Sequence, residues 1–243
     1  MEDMLRRIVS YVWDHPKVQL ASTADKKQLL VDLRLFFLSH LDQLDDNEQL
    51  QKDRTCTQPH ASYLTLSAKP RHSSLFNWIQ MTSGHHTGGA AALSFLLCLA
   101  AAGNNALPSP RARYIGEKLS QSLRGLARIQ NDYGSIDRDQ QECNLNSIDF
   151  LDCPFREDGP DEAPRKRRRT ESTGVVGSSS PRSDLLDLAQ HERQSIDRLL
   201  QEDLPKLLDP RVLGAMRTFT AGVEMYGQMY ILRDHTPRNT EKV

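Results

Sequence analysis

Within "RIQNDYGSIDRDQQECNLNSIDF", residues 128 to 150, an amide, a hydroxyl and a carboxylate stand four residues apart at Asn131, Ser135 and Asp139. A helix turns about 100° and rises about 1.5 Å per residue, so these oxygens fall in one narrow sector, each about 6 Å beyond the last. Hard divalent ions such as Mg2+ take oxygen ligands and keep several waters, so such a set can hold one ion that also meets a substrate phosphate. Arg128, one turn earlier, offers paired N–H donors to the same phosphate oxygens. The stripe continues back through Arg124, Gln121 and Glu117, opposite an apolar one, and a helix with a solvated face has the same pattern. Spacing alone leaves both readings open.

The elements that must position these residues are helices. No segment alternates like a strand. Ile115, Leu119, Leu123, Leu126 and Tyr133 form one apolar stripe over 112 to 139, and Val212, Met216, Phe219, Val223, Tyr226 and Tyr230 form another near the end. Leu5, Ile8 and Val12 keep helical spacing at the start, and residues 25 to 44 are rich in strong helix formers. In "SDLLDLAQHERQSIDRLLQEDL", Ser183 is placed as an N-cap, with Leu185, Ala189, Ile196, Leu200 and Leu204 facing one way. Residues 156 to 182, full of Gly, Pro, Ser and charge, offer no apolar face and read as a disordered loop insertion. The expected organisation is therefore one helical domain over 1 to 155 and 183 to 236, with 237 to 243 as a flexible tail. About 60 residues follow the loop, too few to bury their stripes without earlier helices.

Composition narrows the function classes. With 31 Lys and Arg against 32 Asp and Glu, the chain has no bulk attraction to nucleic acid or anionic lipid. The longest apolar run, 90 to 102, is too short to span a bilayer, and the N-terminus lacks the pattern of a secretory signal. Cys56, Cys98, Cys143 and Cys153 show no CxxC spacing, so neither a zinc knuckle nor a disulfide framework is expected, and a cytoplasmic location fits.

The 128 to 150 segment resembles the second metal-binding motif of class I terpene synthases, (N/D)Dxx(S/T)xxxE, and is similar in particular to fungal bifunctional diterpene cyclases of the copalyl diphosphate/kaurene synthase kind. "NWIQMTSGHHTGGAAALSFLLCLAAAG" at 77 to 103 resembles the kinked helix that lines the cavity in that family, and "VEMYGQMYILRDHTPR" at 223 to 238 its last helix. The resemblance implies an all-α fold, a partial class I terpenoid synthase bundle. It also implies a lyase that ionises and cyclises an allylic prenyl diphosphate, geranylgeranyl or copalyl diphosphate, with Mg2+ as cofactor. Carried over residue by residue, Asn131, Ser135 and Asp139 are the metal ligands, with Asp where the general motif has Glu. Arg128 contacts the diphosphate, Asp132 supports the ligands, and Tyr226, Tyr230 and Arg233 stand at the cavity mouth.

The family's other metal motif, DDxxD or DExxD, is not in the chain. Asp45, Asp46 and Glu48 in "LDQLDDNEQL" lack its third carboxylate and read as a polar helix end. The expectation is a family member truncated at the N-terminus, needing a protein partner that supplies the missing helices. An inactive remnant or partner subunit is the alternative, and the basic run "RKRRR" at 165 to 169 leaves nuclear or nucleic-acid interaction as a third reading. Gly88 and Gly89 are expected to loosen or re-kink the helix there. His85 and His86 read as helix-start or surface histidines.

Overall fold

A computed structural model describes residues 2–56, 74–101, 103–151 and 180–234. All regular structure among them is helical, so the all-α expectation holds. Residues 156–179 of the loop insertion, the basic run 165–169, Cys153, the tail 237–243 and the side chain of Arg233 lie outside the described residues, whereas residues 180–182, read as the end of the loop, are the start of the helix that follows it.

The long central helix is α7 (Pro110–Glu142). Ser109 starts it by accepting from the Ala112 N–H at 3.1 Å, and Pro110 is preset for the first turn. Cys143 ends it in a left-handed conformation, φ 56°, its N–H returning to the Asp139 carbonyl. The expected apolar stripe is the core. Leu119, Leu123, Leu126, Ile129, Tyr133 and Ile136 are buried against α8 (Pro181–Arg198) and α9 (Pro210–Asp234). Full burial of each such side chain stabilises the fold by about 1.5–3 kcal/mol.

Helix α8 starts three residues earlier than its sequence suggests. Ser180, not Ser183, is the N-cap; it accepts from the Ser183 N–H, and Pro181 occupies the first turn. Leu185, Ala189, Ile196, Leu200 and Leu204 are all buried, as their spacing predicts. In α9, Val212 and Met216 are core and Phe219 and Val223 pack on it, but Tyr226 and Tyr230 break the stripe and are exposed. At that level α9 touches α7 through Gly227 and the main chain of Tyr230, which approach Gln130 and Gly134 too closely for a side chain on either glycine.

The remaining helices are α1 (Glu2–Trp13), α2 (Pro16–Leu20), α3 (Thr23–Cys56), α4 (Leu75–Trp78), α5 (Gly84–His86) and α6 (Gly89–Ala100). A π-helical turn, Ile79–Ser83, joins α4 to α5. Gly88 separates α5 from α6 at φ 74°, so the helix is broken there, in line with its glycines. Residues 41 to 50 are no helix end: α3 runs on to Cys56, with Asp46 buried and Asp45 and Glu48 exposed. A second apolar cluster, Val18, Leu29, Leu33, Ala91 and Cys98, joins α2, α3 and α6. No helix among the described residues is long and apolar enough to cross a membrane.

Candidate functional site

The polar stripe of α7 is not a solvated face. Arg124, Arg128, Asp132, Ser135 and Asp139 are all at most 8% exposed. Two pieces of chain cover them: the π turn with its flanking residues 78 to 86, and the turn after α7, which doubles back through 144 to 150. Glu117 and Gln121, nearer the start of α7, are exposed as a solvated face requires.

Gly84 permits the first cover. A Cβ there would lie 3.2 Å from the Arg124 Cβ, so α5 approaches α7 closely. His85 consequently is no surface residue. It is buried, with Arg124 Nη1 2.6 Å from its Nε2. Burial and then the neighbouring guanidinium push its pKa down to about 4, so the ring stays neutral and accepts from the arginine. His86 is half-buried against the His40 ring, centroids 4.1 Å apart, and its pKa is likewise about 4, mainly through burial.

One turn on, Arg128 lies over the Trp78 ring at 4.8 Å, donates to the Leu145 carbonyl at 3.3 Å and pairs with Asp132 Oδ1 at 2.8 Å. Trp78 stacks on Phe150 and donates through Nε1 to Asp46 at 3.3 Å, so α3 does contribute a carboxylate to this neighbourhood. Asp132 is wholly buried, and its other oxygen accepts from the Ser147 N–H at 2.9 Å and from the Ser147 hydroxyl at 2.5 Å. Burial raises its pKa to about 6 against the opposing pull of Arg128 and Ser147. The carboxylate of Asp132, expected to support the ligands, contacts Arg128 and Ser147.

The triad sits beyond. Ser135 donates to Asp139 Oδ2 at 2.5 Å, and the Asn146 amide donates to the same oxygen at 2.8 Å and to the Asp132 carbonyl at 3.0 Å. Asn146 also opens a capping box with Asp149 that fixes the return turn. Asn47 of α3 holds that turn from outside, accepting from the Leu145 N–H at 2.9 Å. Asn131 is half-buried on the same side. Asn146, Ser147, Trp78 and Arg124 are thus part of the arrangement although the sequence did not single them out as functional. On α9 the Tyr230 main chain abuts Gly134, the neighbour of Ser135, while the side chains of Tyr226 and Tyr230 are exposed.

The donor chemistry suits a hard cation. Ser135 directs its proton to Asp139 and its oxygen accepts from the Asn146 amide at 3.5 Å, and Asp139 Oδ1 lies 3.5 Å from Arg138. Among the described residues no three His, Cys, Asp or Glu side chains gather as a metal site, so any ion here would depend on the amide and hydroxyl as well.

Comparison with known proteins decides the kinship. The chain is 28% identical over 242 residues to a pimaradiene synthase of Emericella nidulans, covering 94% of this chain and 22% of that protein. It is 28% identical over 254 residues to a bifunctional ent-kaurene synthase of Gibberella fujikuroi, covering 96% and 24%. The chain is a relative of the fungal diterpene synthases. A bifunctional premutilin synthase of Clitopilus passeckerianus is 27% identical over 225 residues, 88% of this chain and 20% of that protein. The chain spans less than a quarter of the length of these curated relatives. No family model matches it, and no solved structure matches it.

Proposed function

We propose that the buried polar side of α7 binds the diphosphate of an allylic prenyl substrate, geranylgeranyl or copalyl diphosphate, and that the chain takes part in its ionisation and cyclisation. The observation that carries this reading is a pair of buried arginines whose hydrogen bonding is incomplete. Nε of Arg124 and Nε of Arg128, one turn apart, lack a hydrogen-bond partner. A buried donor left unpaired costs about 1–3 kcal/mol, and phosphate oxygens would complete both. Asn131, Ser135 and Asp139 would hold Mg2+, which would supply Lewis-acid stabilisation of the departing pyrophosphate.

The chain's own residues do the positioning. Asp132 fixes Arg128 by the ion pair, Trp78 fixes it from the ring face, and Ser147 holds Asp132. Neutral His85 adds no charge beside Arg124, whose Nη2 lies 3.6 Å from the Glu117 carboxylate. Asn146 and Ser135 orient Asp139, so little reorganisation is needed when charge develops on the leaving group. We also propose a cytoplasmic location and a partner polypeptide. Partner-subunit status is the second reading, favoured by the large apolar side chains exposed on α1, α3 and α9.

The test is Mg2+-dependent pyrophosphate release from geranylgeranyl and copalyl diphosphate by the purified chain, with hydrocarbon products analysed alongside. Release with a cyclic product is expected. A folded chain that releases no pyrophosphate leaves the partner-subunit reading.

A further inference from the structure

A cavity of about 310 Å³ opens between α3, α6 and the first turns of α7, nearer the start of α7 than Arg124. Leu93, Leu97 and Leu107 give it apolar walls, and the buried side chains of Asp32 and Ser94 line it as well. Asp32 stands there with neutral hydrogen-bond partners. One of its oxygens accepts from the Ser94 hydroxyl. Gln28, an exposed side chain, reaches both oxygens at 3.2 Å, long for an N–H···O bond. No base among the described residues pairs with Asp32: Arg124 acts on it from farther away and lies 3.6 Å from Glu117 on the cavity rim. Burial raises the Asp32 pKa against the pull of Ser94, Gln28 and Arg124, so its charged form is under-compensated. Among the described lining residues Arg113 is the one base, and it is exposed. Asp25 also lines the cavity, but its carboxylate is already taken by the Ala106 N–H at 2.9 Å and the Ser22 hydroxyl at 2.7 Å.

We propose that this cavity binds a small organic cation, an alkylammonium whose N–H donors meet Asp32 and whose hydrocarbon body lies against Leu93, Leu97 and Leu107. A buried carboxylate is costly unless a cation matches it. An ammonium supplies that match, replacing the long contacts from Gln28 by charge-assisted hydrogen bonds about twice as strong as neutral ones. Glu117 at the rim adds attraction for the same sign of charge. An anion would meet carboxylates instead, and a neutral alcohol would gain only the apolar contact. Small-molecule pockets run from about 300 to 1,000 Å³, so a cavity of this size selects a ligand at the small end of that range.

Calorimetric titration of the 243-residue chain at neutral pH with hexylammonium, hexanol and hexanoate tests this. Hexylammonium is expected to bind saturably at one site, and the alcohol and the carboxylate at least about tenfold more weakly, the loss of one charged hydrogen bond. Asp32→Asn keeps the size of the side chain and removes its charge, and should weaken hexylammonium by a similar factor with helical circular dichroism unchanged. Ala24→Phe, at a half-buried position on the cavity wall, fills the space from α3 and should abolish binding without touching Asp32. Absence of saturable hexylammonium binding overturns the proposal. So does equal binding of hexanol, which would make the cavity indifferent to charge, or binding unchanged in a folded Asp32→Asn or Ala24→Phe chain. The probes carry no phosphate, so none of these outcomes depends on the diphosphate reading of α7.

Discussion

Ser135 and Asp139 are joined by a 2.5 Å hydrogen bond, and the Asn146 amide meets the same carboxylate oxygen from the returning turn. The proposed ligands therefore differ in what they also do for the fold. Asp139→Ala strands two buried polar partners and should cost about 1–3 kcal/mol of stability as well as activity. Asn131→Ala, at a half-buried position, should abolish Mg2+-dependent pyrophosphate release with less than about 1 kcal/mol of destabilisation. Urea unfolding beside the release assay separates the two. Retained activity in Asn131→Ala would remove it from the site.

The Arg128 and Asp132 pair is buried, so removing one member is worse than removing both. Asp132→Ala leaves a buried guanidinium uncompensated and should destabilise by about 3–5 kcal/mol. The Arg128→Met, Asp132→Leu double variant should recover a large part of that. Equal losses in the single and double variants, read from unfolding midpoints, would show that the charges are not coupled.

The glycines of α7 and α9 divide sharply. A Cβ on Gly134 would lie 2.4 Å from the Tyr230 carbonyl oxygen, a backbone atom that cannot step aside, and one on Gly227 would lie 1.8 Å from the side chain of buried Gln130. Gly214 and Gly222 have nothing within 4 Å. Thermal denaturation should show Gly134→Ala and Gly227→Ala destabilised by about 1–3 kcal/mol through overpacking. Gly214→Ala and Gly222→Ala should be stabilised by up to about 1 kcal/mol through helix propensity. The reverse order would contradict the α7 and α9 crossing.

His85 is held neutral in the fold, with a pKa of about 4 against 6.5 ordinarily. Acid therefore protonates the unfolded chain first. The contribution of His85 to stability is whole above pH 6.5 and falls as pH drops towards 4. Asp132, raised to about 6 from 3.8, has the opposite sign: it loses stability as pH rises from 3.8 to 6. Comparing wild type with His85→Gln isolates the histidine. The stability gap between them should narrow on going from pH 7 to pH 4.5, and a constant gap would mean that His85 titrates normally.

The helices and their apolar faces are legible in the sequence because periodicity reports burial of a nonpolar side directly. Leu119, Leu126 and Ile196 stand where spacing puts them. The burial of Arg128, Ser135 and Asp139 is not legible that way. A polar stripe looks alike whether water or protein covers it, and its covers come from residues 78 to 86 and 144 to 150. The "NSID" sequence at 146 to 149 carries a capping-box pattern, and that signal could have marked Asn146. His85 misled for a related reason: only the close approach at Gly84 makes it an interior residue.

The most direct measurement is calorimetric titration of the purified chain with inorganic pyrophosphate in the presence and absence of Mg2+. The account predicts saturable binding that requires the metal and weakens at least tenfold in Arg128→Ala and in Asn131→Ala. Absence of binding to a folded chain, or binding unchanged in both variants, would contradict a diphosphate site on α7.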